Sequence, residues 1–184
     1  MTSDVDGHTS VVAGTLQAIH VYPVKSCRAV ALERVALTRR GLLGDRLFQV
    51  VDADARPVTQ RQRPELATVC PTLVAGGMLL EAEGRPPIEI AAPTTNDTTA
   101  SSLLGATVEA GDAGDDAAAW FTDLLGSPVR LVAITDDSDH RVPFPGAEMH
   151  IGWADGASVL VTNTASLGWL NERSSEPFGM DRFR

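Results

Sequence analysis

The chain has 184 residues, 43% of them hydrophobic and 21% charged, with a formal net charge of −9 at pH 7. This composition excludes a disordered chain and supplies enough apolar surface for one substantial domain, or for a compact domain with part of a second. The acidic balance argues against a nucleic-acid surface, which needs a basic patch to release counterions, and no segment approaches the roughly 20 apolar residues of a membrane helix.

Residues 1–14, rich in Thr, Ser, Asp and Gly, read as a disordered tail without the basic start and apolar run of a secretory leader. With only Cys27 and Cys70 in the chain, the expectation is a cytoplasmic protein with reduced thiols. Short strands are predicted over residues 16–22, 31–38, 47–52, 67–73, 78–83, 88–91 and 107–110, most of them bounded by Gly, Pro or Asp. Residues 52–57 and the pair Gly76-Gly77 have the composition of hairpin connections. Residues 92–102, dense in Thr, Pro, Asn and Ser, read as a loop.

A helix follows. Asp115 and Asp116 place carboxylates at its N-terminus, Ala117, Trp120, Phe121, Leu124 and Leu125 share one face, and Gly126 stops it. A strand is predicted over 129–134, then an acidic, Pro-rich loop through His140, Pro143, Pro145 and His150, a strand over 157–162, and a helix capped by Asn163 or Thr164. The fold class is therefore β-rich mixed α+β, a barrel or a sandwich with a packed helix, and the expected division is an N-terminal domain over 15–135, then a linker and the start of a second, incomplete unit over 136–184. Trp169, Leu170 and Phe183 form an apolar set with little chain after them, so the expectation is a chain that stops inside a folding unit.

The chemistry concentrates early. Tyr22-Pro23-Val24-Lys25-Ser26-Cys27, Gly44-Asp45-Arg46 and residues 59–64 (Thr-Gln-Arg-Gln-Arg-Pro) put a lysine, a hydroxyl and an arginine at the ends of predicted strands. A compact ammonium and a planar guanidinium suit a phosphate better than a neutral ligand. The acidic residues cluster in 112–123 and at Asp136, Asp137 and Asp139, which leaves the stretch from Lys25 to Arg46 locally basic.

At these residues the sequence resembles the molybdenum-cofactor-binding MOSC proteins, in the branch with an N-terminal β-barrel domain that includes amidoxime-reducing components and hydroxylaminopurine-resistance proteins. Residues 114–120 (Gly-Asp-Asp-Ala-Ala-Ala-Trp) and Ala165-Ser166-Leu167 with Leu170-Asn171 carry it further, in matching order. The resemblance implies that Lys25 and Ser26 contact the phosphate or pterin of molybdopterin, that Arg46 hydrogen-bonds the pterin, and that Arg184 matches the arginine of the family's Phe-Arg-Pro-Asn motif. It implies an oxidoreductase that reduces N-hydroxylated compounds with electrons from a partner protein, of which this chain is the cofactor-binding front part. The family's molybdenum-ligating cysteine falls downstream of Arg184, so this chain alone is expected to be inactive. Where amidoxime-reducing members carry a Thr-Ser pair, this chain has Gly156-Ala157, with Ser158 as the expected stand-in.

Simpler roles compete at each position. Lys25 can be a solvated strand-end lysine, and Arg46 can be held by Asp45 in an ion pair worth about 0–1 kcal/mol if exposed. Arg61 and Gln62 read as loop-positioning residues. Cys27 reads as buried, Cys70 as part of a core strand, His20 as a packing residue, and Trp120, Phe121 and Trp169 as core or lid aromatics. His140 and His150 lack the second ligand pair of a zinc site. Against the oxidoreductase stands a second class, a non-catalytic module for a phosphorylated small molecule, either molybdopterin or pyridoxal phosphate. A Schiff base to Lys25 would need a neutral amine.

Overall fold

A computed structural model describes residues 14–92, 98–103, 105–135 and 140–183. Its strands are short and all its named pairings antiparallel. β1 (Ile19–Val21) pairs with β2 (Val30–Leu32), and β3 (Leu37–Thr38) with β4 (Gly41–Leu42). β5 (Phe48–Val51) precedes a 3₁₀ turn at Pro64–Thr68, followed by a meander of β6 (Cys70–Val74), β7 (Gly77–Glu81) and β8 (Ile88–Ala91). β9 (Thr98–Leu103) and β10 (Ala106–Asp112) lead into α1 (Asp115–Leu125), and β11 (Arg130–Ala133) completes a four-stranded sheet ordered β5-β11-β10-β9. β12 (Arg141–Phe144) and β13 (Ala147–His150) form a hairpin before α2 (Thr164–Asn171). The result is a β-rich α+β fold with two α-helices among the described residues.

Alternation along the strands builds two cores, one on each face of the four-stranded sheet. Phe48 and Val50 of β5, with Leu131 and Ala133 of β11, face a core shared with Val24, Cys27, Leu66, Leu80 and the α1 residues Trp120 and Phe121. Val51 and Val132 face a second core with Ala110, Ile134, Ile151 and Trp153. The outer edge of β5 is not left open: Val24 makes a parallel bridge to Phe48, and the Val58 N–H bonds the Val50 carbonyl. These two contacts fasten the Lys25 turn and the 59–63 turn to the sheet.

The predicted helix ends are found where the residues put them. Gly114 is the N-cap of α1, and Gly126 closes it in the left-handed region at φ 62°. The β6–β7 hairpin turns through Ala75-Gly76, pairing Val74 with Gly77. Asn163 caps α2, its Oδ1 accepting from the Ser166 N–H at 2.7 Å.

Other expectations need correction. The stretch over 31–38 is broken at 33–36, and the one over 67–73 begins only at Cys70, because Pro64 starts a 3₁₀ turn instead. Residues 98–102, read as loop, belong to β9: their Thr and Ser residues carry no apolar alternation, and cross-strand pairing with β10 supplies the order. Within the expected 136–150 loop, residues 141–150 form the β12–β13 hairpin, which tolerates Pro143 because no third strand among the described residues flanks it. Residues 157–162 form no strand; Val161 is 87% exposed there. Cys70 is only half-buried, His20 is exposed, and Trp169 is exposed rather than core, whereas Cys27, Trp120 and Phe121 are buried as expected. The tail residues 1–13, Asp136, Asp137, Asp139 and Arg184 lie outside the described residues.

Candidate functional site

Two turns deliver the early cations to one place. In the first, the Cys27 N–H bonds the Val24 carbonyl at 3.1 Å, closing Val24-Lys25-Ser26-Cys27 as a β-turn. Val24 and Cys27 are both fully buried and hold the turn down, so Lys25 and Ser26 at its centre are pushed outward. Ser26 sits at φ 73°, a region that favours glycine. In the second turn, Gly44 at φ 88° lets the chain reverse, and Arg46 follows at φ 47°. Three non-glycine residues among those described have positive φ, and two of them are Ser26 and Arg46. Such strain persists where the surroundings over-determine it, and it concentrates at functional sites.

Arg46 is fixed along its whole length. Its N–H bonds the Tyr22 carbonyl at 2.9 Å, and its own carbonyl accepts from the Trp153 N–H at 2.9 Å. Its guanidinium lies over the Tyr22 ring, 4.5 Å from the centroid, and donates through Nη1 to both oxygens of Asp45. Asp45 Oδ1 also accepts from the Tyr22 N–H at 2.7 Å. The pair is largely buried, with Asp45 only 9% exposed. The Asp45 pairing weighed from sequence is therefore present, and it presents Arg46 at the cleft rather than removing it to another face.

The opposite wall comes from beyond β13. Gly152 passes so close to the second turn that a Cβ there would lie 2.6 Å from the Arg46 carbonyl oxygen. Trp153 is fully buried, and its Nε1 donates to the Leu47 carbonyl at 3.0 Å. Asp155 then reaches across the cleft, Oδ1 lying 2.6 Å from Lys25 Nζ.

The cleft between these walls has a volume of about 410 Å³. Lys25, Ser26 and Arg46 all line it, and so do Thr59, Arg61 and Arg182. The three residues singled out from sequence are brought together, whereas Arg184 is outside the described residues. Gln62 is the loop-positioning residue of its pair: its Oε1 accepts from the N–H and hydroxyl of Thr59, at 3.0 Å each. Arg61 instead points to the cleft. Ser158, the expected stand-in for a phosphate donor, commits its single O–H to the His150 carbonyl at 2.8 Å. Asp155 and Arg182 were not foreseen, since their approach to Lys25 and Arg46 depends on contacts more than a hundred residues apart in the chain.

The donor set fits an anion. Four cationic side chains and the Ser26 hydroxyl face a space large enough for a small phosphorylated molecule. It does not supply a metal ligand set: Cys27 is fully buried, and among the described residues no group of three or more His, Cys, Asp or Glu is placed to hold a metal ion. No helix among the described residues is long and apolar enough to cross a membrane.

Fold and cleft together define a β-rich domain with a cation-lined cleft, and comparison with known proteins identifies which. Residues 13–128 match the MOSC N-terminal beta barrel domain, and the chain belongs to that family. Mitochondrial amidoxime reducing component 2 of Rattus norvegicus is 31% identical over 93% of this chain and 55% of its own length. Mitochondrial amidoxime-reducing component 1 of Homo sapiens is likewise 31% identical, over 54% of its length. The molybdenum cofactor sulfurase of Danio rerio is 26% identical over 98% of this chain but 23% of its own. The chain thus spans about half the length of the amidoxime reducing components. A solution structure of a Bordetella bronchiseptica protein shares the fold, with a TM-score of 0.53 and 22% identity over 69% of this chain and 95% of that one.

Proposed function

We propose that this chain is the cofactor-gripping part of a molybdopterin oxidoreductase acting on N-hydroxylated compounds. The observation that carries the reading is the convergence of Lys25, Ser26 and Arg46 on one cleft. Names of relatives support it: amidoxime reducing components and a molybdenum cofactor sulfurase align with more than nine-tenths of the chain. Lys25 and the Ser26 hydroxyl would hold the phosphate of the pterin, and Arg46, already oriented by Asp45 and Tyr22, would donate toward its ring system. When bound, the cofactor supplies the two-electron chemistry that takes oxygen from nitrogen, with water as the second product. The chain's own part is to bind and orient. The natural substrate is an N-oxygenated small molecule, and reducing equivalents come from an electron-transfer protein, which an acidic surface can dock through complementary charge. A cytoplasmic setting belongs to the same reading.

The test is metal and pterin content of the full-length protein made in a host that synthesises molybdopterin. Stoichiometric molybdenum is expected, with Lys25→Ala and Arg46→Ala each lowering it; a folded protein containing no molybdenum and no pterin rejects the assignment. A non-catalytic phosphate-binding module is the second reading, which the same cleft supports because Lys25, Ser26 and Arg46 would hold a phosphate with or without turnover. Loaded protein that fails to reduce an amidoxime in the presence of a chemical electron donor would favour it. Pyridoxal phosphate is the weaker alternative, because a Schiff base to Lys25 needs a neutral amine and the Asp155 carboxylate lies 2.6 Å from its Nζ.

A further inference from the structure

The cations of the cleft fall into two kinds. Lys25 and Arg46 are each matched by a carboxylate, Asp155 and Asp45, at 2.6 Å. Arg61 and Arg182 are exposed, line the same cleft, and have no side-chain partner among the described residues. The two carboxylates offset the charge of the first pair, so the net positive field at the mouth comes from the two free arginines. An arriving anion meets Arg61 and Arg182 before either deeper cation is available to it.

Asp155 marks the second half of the path. It is 70% exposed while its partner Lys25 is 15% exposed. The segment carrying it is pinned on one side by buried Trp153 and on the other by Ser158, whose hydroxyl bonds the His150 carbonyl. Between those anchors stand Ala154, Gly156 and Ala157, none with a side chain to pin the tip. The Asp155 carboxylate occupies Lys25 as a phosphate oxygen would, and, being 70% exposed, it can swing into water.

We infer that Arg61 and Arg182 are the anion-capturing residues of the cleft, taking the terminal phosphate of a small soluble molecule, and that Asp155 holds Lys25 until that phosphate displaces it. This rests on the phosphate-binding reading above and adds the residues through which it is achieved. The probe is inorganic phosphate, titrated at low ionic strength into the full-length protein. Arg61→Ala and Arg182→Ala are each expected to weaken binding roughly tenfold, the scale of one charge-assisted hydrogen bond, and to flatten its salt dependence; Arg61→Lys and Arg182→Lys recover part of both. Asp155→Asn is expected to tighten binding by roughly threefold or more, because Lys25 is released from its ion pair with an exposed carboxylate. Unchanged affinity in both alanine variants, or weaker binding in Asp155→Asn, overturns the inference. All these side chains are solvent-exposed, and a thermal melt verifies that each variant is folded. Pterin content measured on the same preparations separates the two readings. Protein without pterin that still binds phosphate through the two arginines sinks only the cofactor assignment. Protein that retains pterin, with phosphate binding indifferent to both arginines, sinks only this one.

Discussion

The wall of the cleft made by Tyr22, Lys25, Ser26, Asp45 and Arg46 is wired into the sheet, with its turn residues Val24 and Cys27 buried and its backbone bonded to Phe48 and Trp153. The facing wall, from Ala154 to Leu160 and at Arg182, has one buried anchor in Trp153, while α2 beyond it buries none of its residues. Strain is affordable only on the first wall, where surrounding bonds hold Ser26 and Arg46 at positive φ. Adjustable groups, Asp155 and Arg182, sit on the second. The cleft therefore pairs a fixed cation template with a softer side that can accommodate a ligand.

The comparison is broken most severely by Trp153→Ala. It removes the buried indole whose Nε1 bonds Leu47 and detaches the soft wall, so a loss of about 3–5 kcal/mol is expected in denaturant unfolding. Gly152→Ala comes next: its Cβ would fall 2.6 Å from the Arg46 oxygen, forcing the walls apart at about 1–3 kcal/mol, with phosphate affinity falling as Arg46 moves. A stability unchanged from wild type would mean the walls are not in contact there. Ser26→Gly separates stability from function. Relief of the left-handed conformation, less the entropy of the new glycine, should raise stability by up to about 1 kcal/mol, while losing the hydroxyl weakens phosphate binding.

The smallest effect is a control away from the cleft. Burial raises the cost of charging Asp112, but hydrogen bonds from Arg130 and the Gly114 N–H outweigh it and hold its carboxyl below the ordinary range. A depressed folded pKa contributes stability that is present above the unfolded value near 4 and is lost as pH falls through the lower folded one. Asp112→Asn should flatten that acid slope and leave phosphate binding at neutral pH unchanged. A shifted phosphate affinity would show that the α1 entrance and the cleft are coupled.

Much of this was legible in local chemistry. Gly114, Asp115 and Gly126 bound α1, Gly76 marked a hairpin, and the Lys25-Ser26 and Asp45-Arg46 motifs named three residues that share one cleft. β9 escaped because Thr98–Leu103 has no apolar period and owes its order to β10. Residues 157–162 misled for the opposite reason: an apolar run has strand propensity, yet a strand exists only where another backbone pairs with it. Arg61 and Gln62 both read as loop braces; Gln62 is one, whereas Arg61 lines the cleft, a difference that sequence adjacency does not reveal.

What the sequence determined by itself was the inventory: cations and a hydroxyl set on tight turns, helix caps, and a composition that folds. Only the tertiary structure decided the pairing, joining Lys25 to Asp155 and Arg46 to Trp153 and leaving Arg61 and Arg182 without acids among the described residues. The physical reason is range. Turn and cap preferences act over a few residues, whereas the charge balance of a cleft is set by which distant segments the two cores bring within a few ångströms.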